Sequence, residues 1–197
     1  YAWSASWLKP VEVKTVLEDE FGKWQAKGSK GIKQIAQASL PEQGRTVIID
    51  RPGSQQSLIL AAHLAPPTGI DNNIAIETMN QTLGGAFTAR VNMNLREDKG
   101  WAYGAYTFLQ DARGQRPFMV YAPVQTDKTG ASLVELKKEL NSYLGDKPPM
   151  PDELERARLD QVRSLPGQYE TSTAVLGSLL SSSRFNRPYN YPETLVE

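Results

Sequence analysis

The sequence contains no cysteine and a single histidine among its 197 residues. Without cysteine there are no disulfide bridges, thiolate metal ligands or cysteine nucleophiles, and the cellular compartment stays open. A zinc site needs about three protein ligands, so here it would consist almost entirely of carboxylates. Because His63 follows an apolar run, we expect a hydrogen-bonded histidine at the end of a strand. We therefore predict no metal site and no cofactor in this chain.

Excess charge of one sign and long apolar runs are also absent. The 22 lysines and arginines balance the 22 aspartates and glutamates. Nucleic acid is not an expected partner, because its binding depends on basic side chains that neutralise phosphates. The longest aliphatic run, 58–62, is far shorter than the ~20 residues that cross a bilayer. We therefore expect no membrane insertion.

Several catalytic motifs are missing as well. The sequence contains neither H-E-x-x-H nor H-x-x-E-H, and no G-x-S-x-G that would present a nucleophilic serine. It has no phosphate-binding P-loop and no G-x-G-x-x-G dinucleotide fingerprint. These absences exclude a self-sufficient zinc hydrolase of the known helical types, a serine hydrolase of the elbow type and a nucleotide-binding fold.

Hydrophobic periodicity and turn residues predict helices separated by two pairs of strands. Helices are expected at 9–27, 72–83, 87–97, 133–144, 152–165 and 172–185, and strands at 46–50, 57–63, 101–109 and 116–124. Asp71 or Asn72 is the expected cap of the second helix. This order favours an α+β fold with a largely antiparallel sheet that is covered by helices on one face.

The polar stretch 38–44 is the best candidate for a domain boundary. We expect residues before it to belong to a preceding domain, and residues 41–197 to form a domain of their own. Since the sequence starts at Tyr1 without an initiator methionine and stops abruptly at Glu197, we expect a piece of a longer protein.

Residues 83–107 combine features that an ordinary core element does not need. The pair Gly84–Gly85 permits close backbone approach, either at a break between two packed helices or at a bound substrate. Arg96 falls in the last turn of a predicted helix, where a cation favours the helix dipole without further function. Tyr103 falls in a predicted strand whose alternation places residues 101, 103 and 105 on one face. Composition and periodicity alone thus indicate an α+β domain with one candidate site.

These residues resemble the second, non-zinc half of the pitrilysin/insulinase family of metallopeptidases, the inverzincins. The family pattern reads roughly L-G-G-x-F-x-S-R-L-x-x-x-L-R-E-x-x-G-x-x-Y-G, and it is matched at 83–85, 87, 90, 95–97, 100 and 103–104. Ala89 replaces the usual serine, and Val91 the usual leucine. Residues 50–56 and 21–24 are similar to two further family motifs, D-x-P-G-x-x-Q and F-G-x-W.

The resemblance implies a fold in which two homologous α+β halves close like a clamshell around an extended peptide. The first half carries H-x-x-E-H and binds zinc, while the second supplies an arginine and a tyrosine seven residues apart. Those residues are Arg96 and Tyr103 here, as hydrogen-bond donors to the scissile carbonyl oxygen. Gly84 and Gly85 are weaker candidates for substrate binding.

The resemblance also implies a domain division and two functions. Residues 1–40 would be the tail of the zinc-bearing half plus a linker, and 41–197 the non-zinc half, truncated at its C-terminus. One hypothesis is the substrate-binding and transition-state-stabilising half of a zinc metalloendopeptidase, inactive by itself. Its partners would be a peptide and the zinc-bearing half, fused or separate. The alternative is a non-catalytic scaffold or peptide-binding subunit of the same fold.

Overall fold

The structure is a computed structural model that describes residues 9–29, 31–69 and 72–196. Its helices and strands, in chain order, are α1 (Pro10–Phe21), β1 (Gln56–Ala65), α2 (Asn73–Asn80), α3 (Arg90–Asn92), β2 (Tyr106–Leu109), β3 (Arg116–Gln125), α4 (Thr129–Leu144), α5 (Pro151–Gln168) and α6 (Ser172–Phe185). The π-helical turns Gln81–Gly85 and Met93–Asp98 extend α2 and α3, and 3₁₀ turns lie at Thr126–Lys128 and Tyr191–Leu195.

The strands form one antiparallel sheet in the order β1–β3–β2. Alternation along β3 buries Val120, Ala122 and Val124 on one face and leaves Tyr121 exposed on the other. The buried face packs against apolar residues of the helical segments, namely Leu83, Val91, Leu95, Leu136 and Tyr143. The opposite face exposes Leu58, Leu60 and Phe108. The predicted α+β fold, with helices on one face of an antiparallel sheet, is confirmed.

The predicted strand at 46–50 is wrong. This segment has no regular structure, and Val47, Ile48 and Ile49 are 71%, 88% and 81% exposed. Its β-branched residues favour a strand only where a neighbouring strand supplies packing and backbone hydrogen bonds, and the sheet ends at β1. A turn follows this segment, in which the Ser54 amide donates to the Arg51 carbonyl at 3.2 Å.

The predicted strand at 101–109 is only partly correct, because β2 begins at Tyr106. Before it, Ala102 makes an isolated bridge to Val124, while the Trp101 and Ala102 amides donate to the Leu95 carbonyl. The backbone here is thus bonded to a helix end as well as to the end of β3, so it does not run along β3 as a continuous strand. Consequently the predicted grouping of residues 101, 103 and 105 on one face is wrong: Ala105 is fully buried, whereas Tyr103 is exposed.

The predicted helices are all present, with shifted ends in several cases. The helix α6 has the predicted bounds, and α5 continues past Pro166 to Gln168. Asn72 occupies the cap position of α2 without a side-chain hydrogen bond, and Asp71 lies outside the described residues.

The helix α1 ends at Phe21 instead of residue 27, and none of its residues is buried. Its predicted apolar stripe is therefore present but uncovered by the described part of the chain.

Gly84 lies where the π-helical turn after α2 sits directly on β2. A Cβ atom at Gly84 would lie 2.6–2.7 Å from the Oγ1, Cγ2 and amide nitrogen of Thr107. Thr107 Oγ1 also donates to Asn80 Oδ1 at 2.8 Å, which ties the same helix to the same strand. Only glycine allows this close approach. The contact accounts for Gly84 as the structural break between two packed helical segments.

Arg90 joins α3 to the start of α5. Its Nε donates to Glu153 Oε1 at 2.7 Å, its Nη2 donates to Glu153 Oε2, and its Nη1 donates to the Lys147 carbonyl. The guanidinium lies 5.1 Å from the Tyr143 ring centroid. Hydrogen bonding by Arg90 holds the pKa of Glu153 below its usual range, although partial burial acts in the opposite direction. This bidentate pair fastens the segment that follows Gly84–Gly85 to the helical layer.

We predict that Gly84→Ala destabilises the fold by about 1–3 kcal/mol, because the new methyl group overlaps Thr107. The matched control is Gly177→Ala in α6, where a Cβ atom meets nothing within 4 Å. That change should stabilise the protein by about 0.5–1 kcal/mol through helix propensity. Urea unfolding of both variants checks this, and equal shifts in the two would contradict the packing argument.

We also predict that Glu153→Gln lowers the free energy of unfolding by about 1–3 kcal/mol at neutral pH. Because the folded-state pKa of Glu153 is lowered, its contribution is complete above the ordinary glutamate pKa of about 4.3 and is lost as the pH falls through the folded value. The variant and wild type should therefore converge in acid. Unfolding curves at a series of pH values measure the difference, with the exposed Glu170→Gln as control. A difference that is constant with pH would contradict the assignment.

Candidate functional site

Arg96 lies in the π-helical turn Met93–Asp98, and its guanidinium contacts two aromatic rings. Its Cζ is 4.5 Å from the centroid of the Phe87 ring and 5.1 Å from that of Tyr103. Its Nε pairs with Glu97 Oε1 at 3.1 Å. Among the described residues, Nη1 and Nη2 have no hydrogen-bond partner. The guanidinium is thus held by two rings and one carboxylate, while its terminal N–H groups remain available.

The chain reverses direction between Arg96 and Tyr103. The helical segment ends at Gly100, whose φ of 65° is the left-handed conformation that glycine adopts readily at helix ends. The Trp101 amide then donates to the Leu95 carbonyl at 2.9 Å, and the Gln125 amide of β3 donates to the Trp101 carbonyl at 2.9 Å. This turn brings the two residues, seven positions apart in sequence, into contact. The structure therefore unites the predicted catalytic pair.

Asn92 connects the backbones on both sides of the site. Its side chain is fully buried, with Nδ2 donating to the Phe87 carbonyl at 2.6 Å. Its Oδ1 accepts a hydrogen bond from the Ala105 amide at 3.0 Å. One segment carries the Phe87 ring and the other carries the Tyr103 ring. Asn92 therefore fixes the distance between the segment of Phe87 and the segment of Tyr103, whose rings both contact Arg96.

Asn94 fastens the same π-helical turn to α4. Its Nδ2 donates to Glu135 Oε2 at 3.0 Å and to Glu139 Oε1 at 2.8 Å. The hydrogen bond from Asn94 lowers the pKa of Glu135, and the nearby Lys138 and Lys99 act in the same direction. The turn that carries Arg96 is thus anchored on both sides, by Asn92 to the sheet and by Asn94 to a helix.

The pair is accessible from solvent, to different degrees. Tyr103 is 83% exposed, whereas the Arg96 side chain is 27% exposed. Guanidinium N–H groups and a phenolic O–H are hydrogen-bond donors, and the guanidinium carries a permanent positive charge. The arrangement can therefore bind an oxygen atom that carries or develops negative charge.

The other predicted site residues lie at the end of the first π-helical turn, Gln81–Gly85. Gly84 is buried against Thr107, and Gly85 is half-buried, with the Asn80 side chain 2.7 Å from the position of a Cβ atom. Contact of either glycine with a substrate stays a prediction.

The sequence by itself assigned no role to Phe87, Glu97 or Asn92. The available signals were that Phe87 and Glu97 match the family pattern and that Asn92 is a polar residue next to core-forming Val91.

His63 is a strand residue of β1, as predicted, and its Nδ1 is 2.8 Å from the Leu64 carbonyl oxygen, within hydrogen-bond distance. Within residues 9–29, 31–69 and 72–196, no group of three or more histidine, cysteine, aspartate or glutamate side chains is placed to hold a metal ion. The described helices include none that is long and apolar enough to cross a membrane.

The model of the family named "Peptidase M16 inactive domain" matches residues 5–159. The chain belongs to this family. The match confirms the resemblance to the non-zinc half of this class of metallopeptidase. No curated protein matches the sequence.

Solved structures share the fold. A peptidase M16 inactive domain from Pseudomonas fluorescens is 26% identical, with a TM-score of 0.64 over 73% of this chain and 34% of its own. A protease from Helicobacter pylori is 17% identical, with a TM-score of 0.78 over 96% of this chain and 48% of its own. A protein from Bordetella pertussis Tohama I, named a "putative zinc protease", is 21% identical, with a TM-score of 0.60 over 74% of this chain and 79% of its own. This chain thus spans a third to a half of the length of the first two.

We predict that Asn92→Ala lowers the free energy of unfolding by about 2–3 kcal/mol. The Ala105 amide and the Phe87 carbonyl lose their shared partner, and an unsatisfied buried polar group costs about 1–3 kcal/mol. The control is Asn141→Ala, an exposed asparagine of α4, which should change stability by no more than about 0.5 kcal/mol. Urea denaturation measures both. Similar small effects for the two variants would refute the bridging role of Asn92.

Proposed function

We propose that this chain is the substrate-binding and transition-state-stabilising half of a zinc-dependent metalloendopeptidase. The observation that carries the proposal is the juxtaposition of Arg96 and Tyr103, with the Arg96 guanidinium in contact with the Tyr103 and Phe87 rings. Membership of a peptidase family supports the reaction class. The family name describes this domain as inactive, so the catalytic machinery would be completed by another half.

The proposed role of the pair is electrostatic. Attack on a peptide bond transfers negative charge to the carbonyl oxygen, and donors fixed in advance stabilise that charge without reorganising during the reaction. The Arg96 side chain is held by Phe87, Tyr103 and Glu97, while its terminal N–H groups stay available. Tyr103 adds an exposed hydroxyl group beside it. The pair would bind the substrate oxygen and orient the scissile bond.

A partner half is required because the described part of this chain has no donor set that fits zinc. Zinc on the partner would activate water and polarise the carbonyl group. The partner would be a homologous half, fused or separate. The exposed apolar residues of α1 support our assignment of residues 1–40 to the tail of that half, since such a stripe normally packs against a core. Residues 41–197 would then be the non-zinc half.

The second candidate function is a non-catalytic scaffold or peptide-binding subunit of the same fold. The family name favours it, because it calls the domain inactive. The Arg96–Tyr103 contact favours the enzyme, since a scaffold needs neither an available guanidinium edge nor an exposed phenol beside it. A complete protein that carries zinc but hydrolyses no peptide would decide for the scaffold.

The experiment uses the full protein, including the zinc-bearing half, and a library of internally quenched fluorogenic peptides. We predict that Tyr103→Phe lowers kcat by roughly 10²-fold, as expected for the loss of one oxyanion donor. The zinc content, measured by atomic absorption, should not change, because Tyr103 does not bind the metal. The matched control is Tyr169→Phe, which removes a hydroxyl group that pairs with Ser178 Oγ between α5 and α6.

Unchanged kcat in Tyr103→Phe would overturn the proposed role of the tyrosine. An equal loss in Tyr169→Phe would indicate a general effect on folding. Loss of zinc from Tyr103→Phe would place the tyrosine with the metal ligands, contrary to the proposal.

A further inference from the structure

Phe87 contacts the guanidinium of Arg96 more closely than Tyr103 does, yet the family-based site does not use it. Its ring centroid lies 4.5 Å from Arg96 Cζ, against 5.1 Å for Tyr103. The ring is 54% exposed, so burial in the core does not explain its position. A single exposed phenylalanine needs no explanation by itself. The Phe87 ring, however, lies over the Arg96 guanidinium, which has few other contacts to restrain it.

The backbone that carries Phe87 is held firmly. The Phe87 carbonyl accepts a hydrogen bond from Asn92 Nδ2 at 2.6 Å, and the Ala89 amide donates to the Ala86 carbonyl at 3.1 Å. Gly84 packs on Thr107 just before this turn, and Arg90 binds Glu153 just after it. The ring therefore projects from a segment that is anchored at both ends.

Phe87 supplies a restraint that the other neighbours of Arg96 do not. Glu97 holds one edge of the guanidinium through Nε, and a single edge contact allows the plane to rotate. Tyr103 covers one face but is itself 83% exposed. The Phe87 ring adds a second and closer aromatic contact, with its centroid 4.5 Å from Cζ, which further limits the movement of the guanidinium. An arginine that is ordered before substrate binds loses less conformational freedom during the reaction.

We infer that Phe87 is a positioning residue, whose ring orients Arg96 so that its terminal N–H groups and the Tyr103 hydroxyl face the same substrate oxygen. The inference rests on the proposed function, because it assigns the ring a part in the same transition state. Phe87 does not touch the reacting atoms in this scheme. It acts through Arg96, so its effect should appear in kcat and should vanish when Arg96 is absent.

The experiment compares two substitutions in the full protein with its zinc-bearing half. Phe87→Leu keeps an apolar side chain but removes the ring, and we predict a loss in kcat of about threefold to tenfold with little change in KM. Phe87→Trp keeps an aromatic face and should retain kcat within about twofold. The control is Leu144→Ala, an exposed apolar residue at the end of α4, which should leave kcat unchanged. The same fluorogenic peptide library is the probe.

A double-mutant cycle separates positioning from a structural role. In an Arg96→Ala background, Phe87→Leu should cause no further loss in kcat. An equal loss in both backgrounds would show that the ring acts by another route and would overturn the inference. So would equal losses in Phe87→Leu and Phe87→Trp, because rescue by an aromatic residue is the signature of the contact.

Failure of the inference is distinguishable from failure of the proposed function. If Arg96→Ala and Tyr103→Phe lower kcat while Phe87→Leu does not, only the positioning role fails. If none of the three lowers kcat, the proposed function fails. A measurement without turnover tests the contact itself: the Nε–H resonance of Arg96 should carry a ring-current shift that Phe87→Leu changes and Leu144→Ala does not. An unchanged resonance in Phe87→Leu would also overturn the inference.

Discussion

The buried side chain of Asn92 is the interaction on which the candidate site depends. One amide joins the Phe87 carbonyl to the Ala105 amide, and these two backbone segments carry the Phe87 and Tyr103 rings that contact Arg96. The Asn92 side chain and the Ala105 amide are fully buried, and the loss of a buried hydrogen-bond partner is costly. The spacing of the two rings is thus set by a residue that is not itself one of the ring contacts of the guanidinium.

Other polar side chains fasten the same region to the rest of the fold. Thr107 binds Asn80 between β2 and α2, Asn94 binds two glutamates of α4, and Arg90 binds Glu153 at the start of α5. Each of these links joins elements that are distant in the sequence. Apolar packing is nondirectional, whereas hydrogen bonds require a particular register. The polar links therefore select one arrangement of the π-helical turns against the sheet.

This division of labour supports the proposed role of a domain from this peptidase family. Tyr103 and, to a smaller degree, the Arg96 side chain are exposed, whereas Asn92 and Ala105, which hold the neighbouring backbone, are buried and hydrogen-bonded. A donor pair can assist a reaction only if it does not have to reorganise as charge develops. The rigidity supplied by Asn92, Asn94 and Gly84 is the physical basis for treating the pair as a preorganised site.

The sequence by itself determined the α+β class, the helix 172–185, the two strands at 57–63 and 116–124, and the family motif that contains Arg96 and Tyr103. Periodicity and motif spacing are local, so they can be recognised from neighbouring residues. Tertiary structure decided that 46–50 is not a strand, because a strand needs a partner that local propensity does not specify. It also decided that Tyr103 leaves the sheet, that Phe87 contacts Arg96 and that Asn92 joins the backbones of Phe87 and Ala105. Those outcomes depend on hydrogen bonds and ring contacts between separate segments, such as Asn92 to Ala105, which arise only when the segments pack together.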